Sequence, residues 1–160
     1  HHAPTDRPIA SGEVLLLDFG GSYQRYHADI TRVVHLGPAP GTVREAYDAV
    51  YQAHEGARTQ IRPGTTGGQA DAFARDLLTQ RGMADLFVHR LGHGIGLSEH
   101  EEPYLVSSNG NSLEESDVFT IEPGIYRPGE FGIRLENTYV LEEGGCRSLN
   151  APILPMIPEL

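Results

Sequence analysis

The sequence predicts an α+β fold, in which a curved, mostly antiparallel sheet is covered on one side by helices. Two strand-like segments come first, two helix-like segments follow, and at least three strand-like segments fill the rest of the chain. Because strands and helices do not alternate, this order disfavours a parallel sheet built from βαβ units. With 160 residues, the chain is long enough for one domain with a hydrophobic core.

The first two strands are predicted from apolar runs that end at turn residues. Residues 13–19 (EVLLLDF) form a short apolar run closed by a Gly-Gly pair. Residues 25–36 (RYHADITRVVHL) are rich in β-branched and aromatic side chains and stop before a Gly-Pro pair. We expect Asp18 near the end of the first strand and Asp29 within the second.

Two helices are predicted from their start signals and apolar spacing. Thr42 with Glu45, and Thr66 with Gln69, both have the spacing of a capping box. Apolar residues then recur at helical spacing, in the first case until a Pro-Gly pair and in the second until Gly82. Both segments are therefore expected to pack as amphipathic helices on the sheet.

The remaining strands are predicted in the second half of the chain. Strand-like composition occurs at residues 86–91, 117–122 and 131–141, between connections rich in Gly, Pro, Ser and Asn. We expect each of these segments to form one strand of the sheet.

Composition narrows the classes of partner. The 12 basic residues face 22 acidic ones, a net charge of -10, which disfavours a nucleic-acid partner. No apolar run approaches the length of about 20 residues that a membrane-spanning helix needs, so no membrane partner is expected. Cys146 is the single cysteine and permits no internal disulfide, which suits a reducing compartment and predicts a cytoplasmic protein.

Five polar residues are expected inside or at the ends of apolar strands, where their burial needs an explanation. They are Asp18, Asp29, His93, Glu122 and Glu136. A buried carboxylate is costly unless it is paired or binds a metal. Two divalent cations would balance the four carboxylates, with one imidazole as a neutral ligand, and would leave a bridging hydroxide as the nucleophile of a two-metal hydrolase.

Each of these acids also has a structural interpretation. Asp18 precedes a Gly-Gly pair and could form a turn, and Glu122 precedes a Pro-Gly pair and could end a solvated strand. Arg134 and Glu136 share a face of a strand, so they could form a surface salt bridge. An arginine that orients a ligand carboxylate fits the same spacing.

The segment at residues 89–101 (HRLGHGIGLSEHE) places three histidines among glycines. If the segment begins as a strand, His89 and His93 lie on one face. Three histidines, including His100, within twelve positions and near acid-bearing strands favour a functional site over isolated structural residues.

Five motifs, in this order, carry a resemblance to a known family: LLLDFGG, YHADITR, GHGIG, TIEPGIY and FGIRLEN. The set resembles the pita-bread metallopeptidases, and ADITR and RLEN make it more similar to aminopeptidase P and prolidase than to methionine aminopeptidase. The resemblance implies a metal-dependent dipeptidase or aminopeptidase that cleaves before proline, acting on small peptides with proline at the second position.

The resemblance also implies that residues 1–160 form only part of the pita-bread catalytic domain. The upstream half of the fold and any N-terminal domain would be absent. The sheet surface that such a truncation exposes is an association hazard, so a homodimer is an open alternative.

The same resemblance implies a metal-binding role for all five polar residues. Asp18 would chelate one metal ion, Asp29 and Glu136 would bridge the two ions, and His93 with Glu122 would bind the second ion.

Further residues match substrate-side positions of the family. Glu122 would also shuttle a proton, and His100 would hydrogen-bond the substrate and the tetrahedral intermediate. His89 would be a second substrate-side histidine, and Arg134 would lie beside the bridging carboxylates. His1 falls where the family has another active-site histidine, although an initial His-His pair is also what a trimmed purification tag leaves.

The sequence leaves alternatives for the identity of the metal and for the activity. An oxygen-rich ligand set with one imidazole suits manganese, cobalt or zinc, and the resemblance points first to Mn²⁺. A methionine-aminopeptidase-like enzyme is the alternative activity. A non-catalytic pita-bread module that binds peptides or proteins is the alternative class, and the five filled ligand positions argue against it.

Overall fold

The computed structural model describes residues 6–160, which form nine strands, two α-helices and a short 3-10 helix at Ala84–Leu86. The α-helices are α1 (Gly41–Gln60) and α2 (Gly67–Gln80). The strands are β1 (Val14–Tyr23), β2 (Tyr26–His35), β3 (Gly92–Gly94), β4 (Glu101–Leu105), β5 (Val118–Ile121), β6 (Gly124–Arg127), β7 (Phe131–Arg134), β8 (Asn137–Glu142) and β9 (Gly145–Ser148). Within the described part of the chain, no helix combines the length and apolar character needed to cross a membrane.

All strand pairs are antiparallel, as the sequence predicts. β1 and β2 form a hairpin, and the order of the largest sheet is β4-β3-β5-β8-β9, while β6 pairs with β7. The hairpin joins the rest of the sheet through backbone hydrogen bonds from Glu136 N–H to the carbonyl of Thr31 (3.2 Å) and from His27 N–H to the carbonyl of Gly96 (2.8 Å). The first bond brings β2 against the junction of β7 and β8, and the second brings the start of β2 against the segment that follows β3.

The two helices pack on the sheets and supply much of the core. α1 buries an alanine-rich stripe and α2 buries Ala70, Ala74 and Leu78. The helices approach closely at Gly56, where a Cβ atom would lie only 2.1 Å from Leu77 Cδ1. Glycine at this position therefore leaves room for the Leu77 side chain between α1 and α2.

The strand predicted at residues 86–91 is wrong. Leu86 ends the 3-10 helix, and residues 87–91 follow an irregular path that side chains of α2 hold. The apolar composition of the segment does give burial at Phe87 and Leu91. A short apolar run does not distinguish a strand from a buried irregular segment, because the difference lies in the hydrogen-bond partners.

The single strand predicted at residues 131–141 is divided into β7 and β8. Leu135 donates its N–H to the carbonyl of Pro123, and Glu136 donates to Thr31 of the neighbouring hairpin. The chain therefore changes partner between the two strands, and this change places the side chain of Glu136 at the junction.

One of the two predicted capping boxes is present. Thr66 accepts a hydrogen bond from Gln69 N–H at 3.1 Å, and the Gln69 side chain accepts one from Thr66 N–H at 2.9 Å. The box predicted at Thr42 is wrong, because α1 begins at Gly41 and its N-cap is Pro40, which has no side-chain capping bond. Thr42 thus lies inside the first turn, where its side chain is exposed.

We predict that Thr66→Ala destabilises the protein by about 1 kcal/mol, because it removes the N-cap acceptor of α2. The matched control is Thr42→Ala, which removes the same atoms from an exposed first-turn position and should change the free energy of unfolding by less than about 0.5 kcal/mol. Urea denaturation followed by circular dichroism measures both. Equal losses in the two variants would contradict the assignment of the caps.

Candidate metal centre

The β1–β2 hairpin carries two of the predicted ligands, Asp18 and Asp29. Asp18 lies opposite Thr31, and Gly20 lies opposite Asp29, in the register of the pair. A Cβ atom at Gly20 would lie 2.2 Å from the carbonyl oxygen of Ala28, so only glycine fits beside Asp29. Asp29 and Thr31 are two residues apart on β2 and therefore face the same side.

β3 holds His93 between β4 and β5. Its neighbours are both glycine: a Cβ atom would lie 2.0 Å from Thr120 O at Gly92 and 2.2 Å from Glu102 O at Gly94. These two glycines let three strands pack closely around His93, whose side chain is only 2% exposed.

The hydrogen bonds of His93 orient its ring toward the acids. Its Nδ1 lies 3.0 Å from the carbonyl oxygen of Gly94, an acceptor, so Nδ1 carries the proton. Nε2 is then free to accept or to bind a metal, and it lies 3.3 Å from Glu122 Oε1 and 3.9 Å from Asp29 Oδ2. A carbonyl that fixes the tautomer in this way is typical of metal-binding histidines.

Glu122 follows β5 and is held by Thr120, two residues before it on the same face. The Thr120 hydroxyl donates to Glu122 Oε1 at 3.1 Å and accepts from His93 N–H at 3.1 Å. Burial alone would raise the pKa of Glu122, but its contact with the His93 ring, and then the nearby His89 and Arg134, hold that pKa below its ordinary value. Glu122 is therefore a carboxylate.

Glu136 is the most deeply buried acid of the group, with 2% of the residue exposed. Its Oε2 accepts a hydrogen bond of 2.6 Å from the Thr31 hydroxyl, whereas its buried Oε1 has no hydrogen-bond partner among residues 6–160. Burial, followed by repulsion from Glu122 and Asp29, raises the pKa of Glu136 to about 8. A buried acceptor without a donor signals a missing partner.

The ligand atoms of the acids and histidines form three overlapping clusters, in each of which they lie within 4.8 Å of one another. The clusters are Asp29 with His93 and His100, His93 with Glu122 and Glu136, and Asp18 with Asp29 and Glu136. The last two clusters share Glu136 and together contain all five predicted ligands. The pKa of Asp29 is raised first by burial and then by the negative charges of Asp18 and Glu122. The acids of the site therefore repel one another and lack a balancing positive charge. This donor set fits two adjacent divalent cations.

Arg134 contacts the acids from the side. Its Nη2 is hydrogen-bonded to Asp18 Oδ2, and its Nε lies 3.2 Å from the Thr31 hydroxyl and 3.8 Å from Glu122 Oε2. Within the described chain it makes no salt bridge to Glu136, so the surface pair considered from the sequence is not formed. One guanidinium therefore orients acids from β1 and β5.

His89 reaches the cleft from the irregular segment, not from a strand that it shares with His93. Its Nδ1 faces the carbonyl of Arg90 at 2.8 Å and therefore carries the proton. Its Nε2 then accepts from the Tyr126 hydroxyl at 2.9 Å, and the hydroxyl oxygen accepts from Arg134 Nη1 at 3.1 Å. Burial lowers the pKa of His89, which favours the neutral ring.

Of the remaining two predicted histidines, the structure describes only one. His100 is exposed, and its ring stands edge-on to that of His93 with the centroids 4.1 Å apart. His1 lies outside the described residues.

These residues line a cleft of about 610 Å³, a volume typical of small-ligand sites. Its lining residues are Asp18, Asp29, Val88, His89, Arg90, His93, His100, Glu122, Tyr126, Arg134 and Glu136. Sequence reasoning missed three residues that orient the acids: Thr31, Thr120 and Tyr126. The period of two along a strand could have indicated Thr31 and Thr120, which lie two residues from Asp29 and Glu122.

Comparisons with known proteins identify the family to which the chain belongs. The model of metallopeptidase family M24 matches residues 1–143, and the chain belongs to that family. The chain is 44% identical over 151 residues to a probable dipeptidase PepE of Mycobacterium tuberculosis, covering 94% of this chain and 40% of that protein. It is 38% identical over 149 residues to an Xaa-Pro dipeptidase of Pyrococcus furiosus, covering 93% and 43%.

The fold is similar to that of an X-Pro aminopeptidase from Thermotoga maritima, with a TM-score of 0.95 and 41% identity. That comparison covers 100% of this chain and 45% of the other. The resemblance to aminopeptidase P and prolidase, and the α+β pita-bread fold, are thereby confirmed. The chain spans less than half the length of these relatives.

We predict that Glu136→Gln stabilises the metal-free protein at pH 8 and abolishes its response to Mn²⁺. Because the folded pKa of about 8 exceeds the ordinary value of 4.5, stability from this group is complete below pH 4.5 and is lost as pH rises to 8. Glutamine does not ionise, so it removes this loss of stability, and it also removes the proposed metal ligand. Urea unfolding at pH 5 and pH 8, with chelator or with Mn²⁺, measures both effects.

The control is Glu130→Gln, a change of the same kind at an exposed turn between β6 and β7. It should leave both the pH dependence and the Mn²⁺ response as in the unaltered protein. An equal Mn²⁺ response in Glu136→Gln would refute the ligand assignment.

Proposed function

We propose that this chain carries the catalytic centre of an Xaa-Pro dipeptidase or aminopeptidase that uses two divalent metal ions. The observation that carries the proposal is the overlap of the clusters at Glu136, whose unpartnered buried oxygen has acids on both sides. Two of the relatives, an Xaa-Pro dipeptidase and an X-Pro aminopeptidase, support the substrate class. The substrates would be small peptides with proline at the second position.

The proposed ligands are the five residues in two of the clusters. Asp18, Asp29 and Glu136 would hold one ion, and His93, Glu122 and Glu136 would hold the other, so that Glu136 would serve both. The family resemblance alone implies that Asp29 would also serve both ions. Four carboxylates match the charge of two divalent cations, and such an oxygen-rich set suits Mn²⁺ first, with Co²⁺ or Zn²⁺ as alternatives. Manganese and the cytoplasmic location remain predictions.

When bound, two such cations supply Lewis-acid polarisation of the scissile carbonyl and lower the pKa of water to give a nucleophile. Glu122 is the residue that moves the proton. Its carboxylate is ionised and lines the cleft, held by the Thr120 hydroxyl at Oε1. It can accept the proton of the attacking water and deliver it to the leaving nitrogen.

Two histidines provide the substrate side of the proposed site. His100 is exposed at the cleft beside His93, so its ring can donate a hydrogen bond to the oxygen that gains charge. We assign it to the substrate rather than to the metal because it is exposed, although it shares a cluster with Asp29. His89 forms another wall of the cleft, and the role proposed for His1 rests on the family resemblance alone.

Arg90 indicates which peptides fit the cleft. It lines the cleft, its guanidinium stacks 4.7 Å from the centroid of the Tyr104 ring, and it has no acidic partner within residues 6–160. A half-buried cation without a counter-charge suits a substrate with a free carboxylate. This observation favours a dipeptidase over an enzyme for longer peptides.

We predict that Glu122→Gln lowers turnover of Ala-Pro by about 10²- to 10⁴-fold, because it removes the proton acceptor. The fold should persist, as judged by circular dichroism. Turnover is measured with manganese-reconstituted full-length protein, and the matched control Glu115→Gln, at an exposed position, should retain full activity. Unchanged turnover in Glu122→Gln would refute the proton-transfer role.

The same assay separates the alternative activities. Cleavage of Met-Ala peptides without cleavage of Ala-Pro would replace the proposal with a methionine-aminopeptidase-like activity. Binding of peptides without metal or turnover in a folded protein would favour the non-catalytic module.

We predict that Arg90→Met raises the KM for Ala-Pro about tenfold and leaves that for Ala-Pro amide nearly unchanged, because a charge-assisted hydrogen bond contributes about 1.5–3 kcal/mol. Arg81→Met, which removes an exposed arginine paired with Asp48, is the control for lost positive charge. Equal effects on the acid and the amide would exclude carboxylate recognition by Arg90.

A further inference from the structure

An ion pair on α2 lies outside the metal centre and contacts a segment that lines the cleft. Asp71 and Arg75 are four residues apart, with Arg75 Nε 2.6 Å from Asp71 Oδ2 and Nη2 3.2 Å from Oδ1. Exposed pairs at this spacing contribute only about 0.3–0.5 kcal/mol, but here the Asp71 side chain is 1% exposed. A buried carboxylate of this kind is expected to have a specific partner beyond the helix.

The partner is the irregular segment at residues 87–91, called here the His89 segment. Arg75 donates from Nη1 to the carbonyl of Phe87 (2.9 Å) and from Nη2 to that of His89 (2.6 Å). Asp71 Oδ1 accepts from Leu91 N–H at 3.0 Å. The Arg75 guanidinium also stacks 4.2 Å from the centroid of the Phe87 ring.

Arg75 replaces the strand partner that the His89 segment lacks. The planar guanidinium presents several donors in fixed directions, so it binds two carbonyls and a carboxylate at the same time. The carbonyls it binds are two residues apart, which fixes the backbone on both sides of residue 88. The segment is thus held by these side chains from Phe87 to His89, and by backbone bonds only at its last residue, where Leu91 donates to Leu105 and accepts from Glu122.

The held segment presents one ring to the cleft. The His89 ring packs edge-on against Phe87, with the centroids 4.9 Å apart, and accepts a hydrogen bond from Tyr126. Tyr126 in turn accepts from Arg134, which contacts Asp18. A continuous set of contacts therefore links α2 to the acids of the metal centre.

We propose that the Asp71–Arg75 pair is a positioning device, which fixes the His89 ring against Tyr126 and so sets the substrate side of the cleft. The inference rests on the proposed function for its effect on turnover, but not for its effect on the segment itself. Arg75 and Asp71 are positioning residues, because both act through the backbone of the His89 segment and neither lines the cleft.

Arg75→Lys is the variant that separates positioning from folding. Lysine keeps the charge opposite Asp71, but its single ammonium cannot reproduce the fork between the carbonyls of Phe87 and His89. We expect kcat/KM for Ala-Pro to fall by about tenfold to a hundredfold in the full-length protein, since small displacements of positioning groups cost this much. The unfolding midpoint and the manganese content should remain close to those of the unaltered protein.

The control is Arg58→Lys on α1. Arg58 forms a similar helical pair with Glu55 (2.7 Å), and its side chain is 34% exposed, against 33% for Arg75. It does not line the cleft. It should therefore keep kcat/KM within about twofold of the unaltered protein, as expected for a site that does not couple to the cleft.

A double-mutant cycle with His89→Ala decides whether Arg75 acts through His89 or only supports the fold. If Arg75 acts through His89, Arg75→Lys costs less than about twofold in kcat/KM once His89 is alanine. An equal loss in both backgrounds would overturn the proposal and leave the pair with a purely structural role.

Amide hydrogen exchange provides a readout that does not need activity. In Arg75→Lys, the amides of the His89 segment should exchange faster, while those of α1 keep their rates. If the protein proves inactive on every peptide, the proposed function fails, and faster exchange in this segment still tests the positioning device. Unchanged exchange in the segment would overturn it.

Discussion

The burial of the Glu136 carboxylate is the constraint on which the rest of the structure depends. Its side chain occupies the junction of β7 and β8, with one oxygen bound to Thr31 and the other without a donor. Acids from two other strands lie beside it, so repulsion adds to the cost of burial. Such a site is stable only when positive charge enters it or when Glu136 is protonated. The fold therefore retains a local instability that the proposed cations would remove, which is typical of a functional centre.

The sheet brings these acids together through close backbone approach, and its glycines permit this. Gly92 and Gly94 let β3 lie between β4 and β5, with His93 projecting between the acids. Gly20 has the same effect in the hairpin that carries Asp18 and Asp29. Each ligand is thus fixed on a paired strand or directly after one, and rigid elements hold ligand geometry more precisely than free loops do.

Sequence patterns that are local to a single element predict much of this structure. The apolar runs of β1 and β2 and the capping box at Thr66 are local, and the structure contains all three. The predicted end of the first strand at the Gly-Gly pair is wrong, because both glycines pair with β2 and the strand continues to Tyr23. The break between β7 and β8 was not predictable in the same way, because it depends on a bond from Glu136 to a residue distant in sequence. The sequence also leaves the partner of Arg134 open, since the period of two places it beside Glu136 but cannot reveal Asp18 on another strand.

The segment that carries His89 shows why this limit matters for function. Its apolar residues predict a strand, and two of them, Phe87 and Leu91, are buried. Two of its carbonyls, however, are bound by Arg75 from a helix. A strand there would have fixed His89 through the sheet, together with His93. The irregular path instead gives His89 a support from α2, and the segment meets the proposed ligands through Tyr126 and Arg134 and through the backbone bond from Glu122 N–H to Leu91. A substitution of Arg75 should therefore move His89 more than the proposed ligands, because the backbone of those ligands is held mainly by the strands.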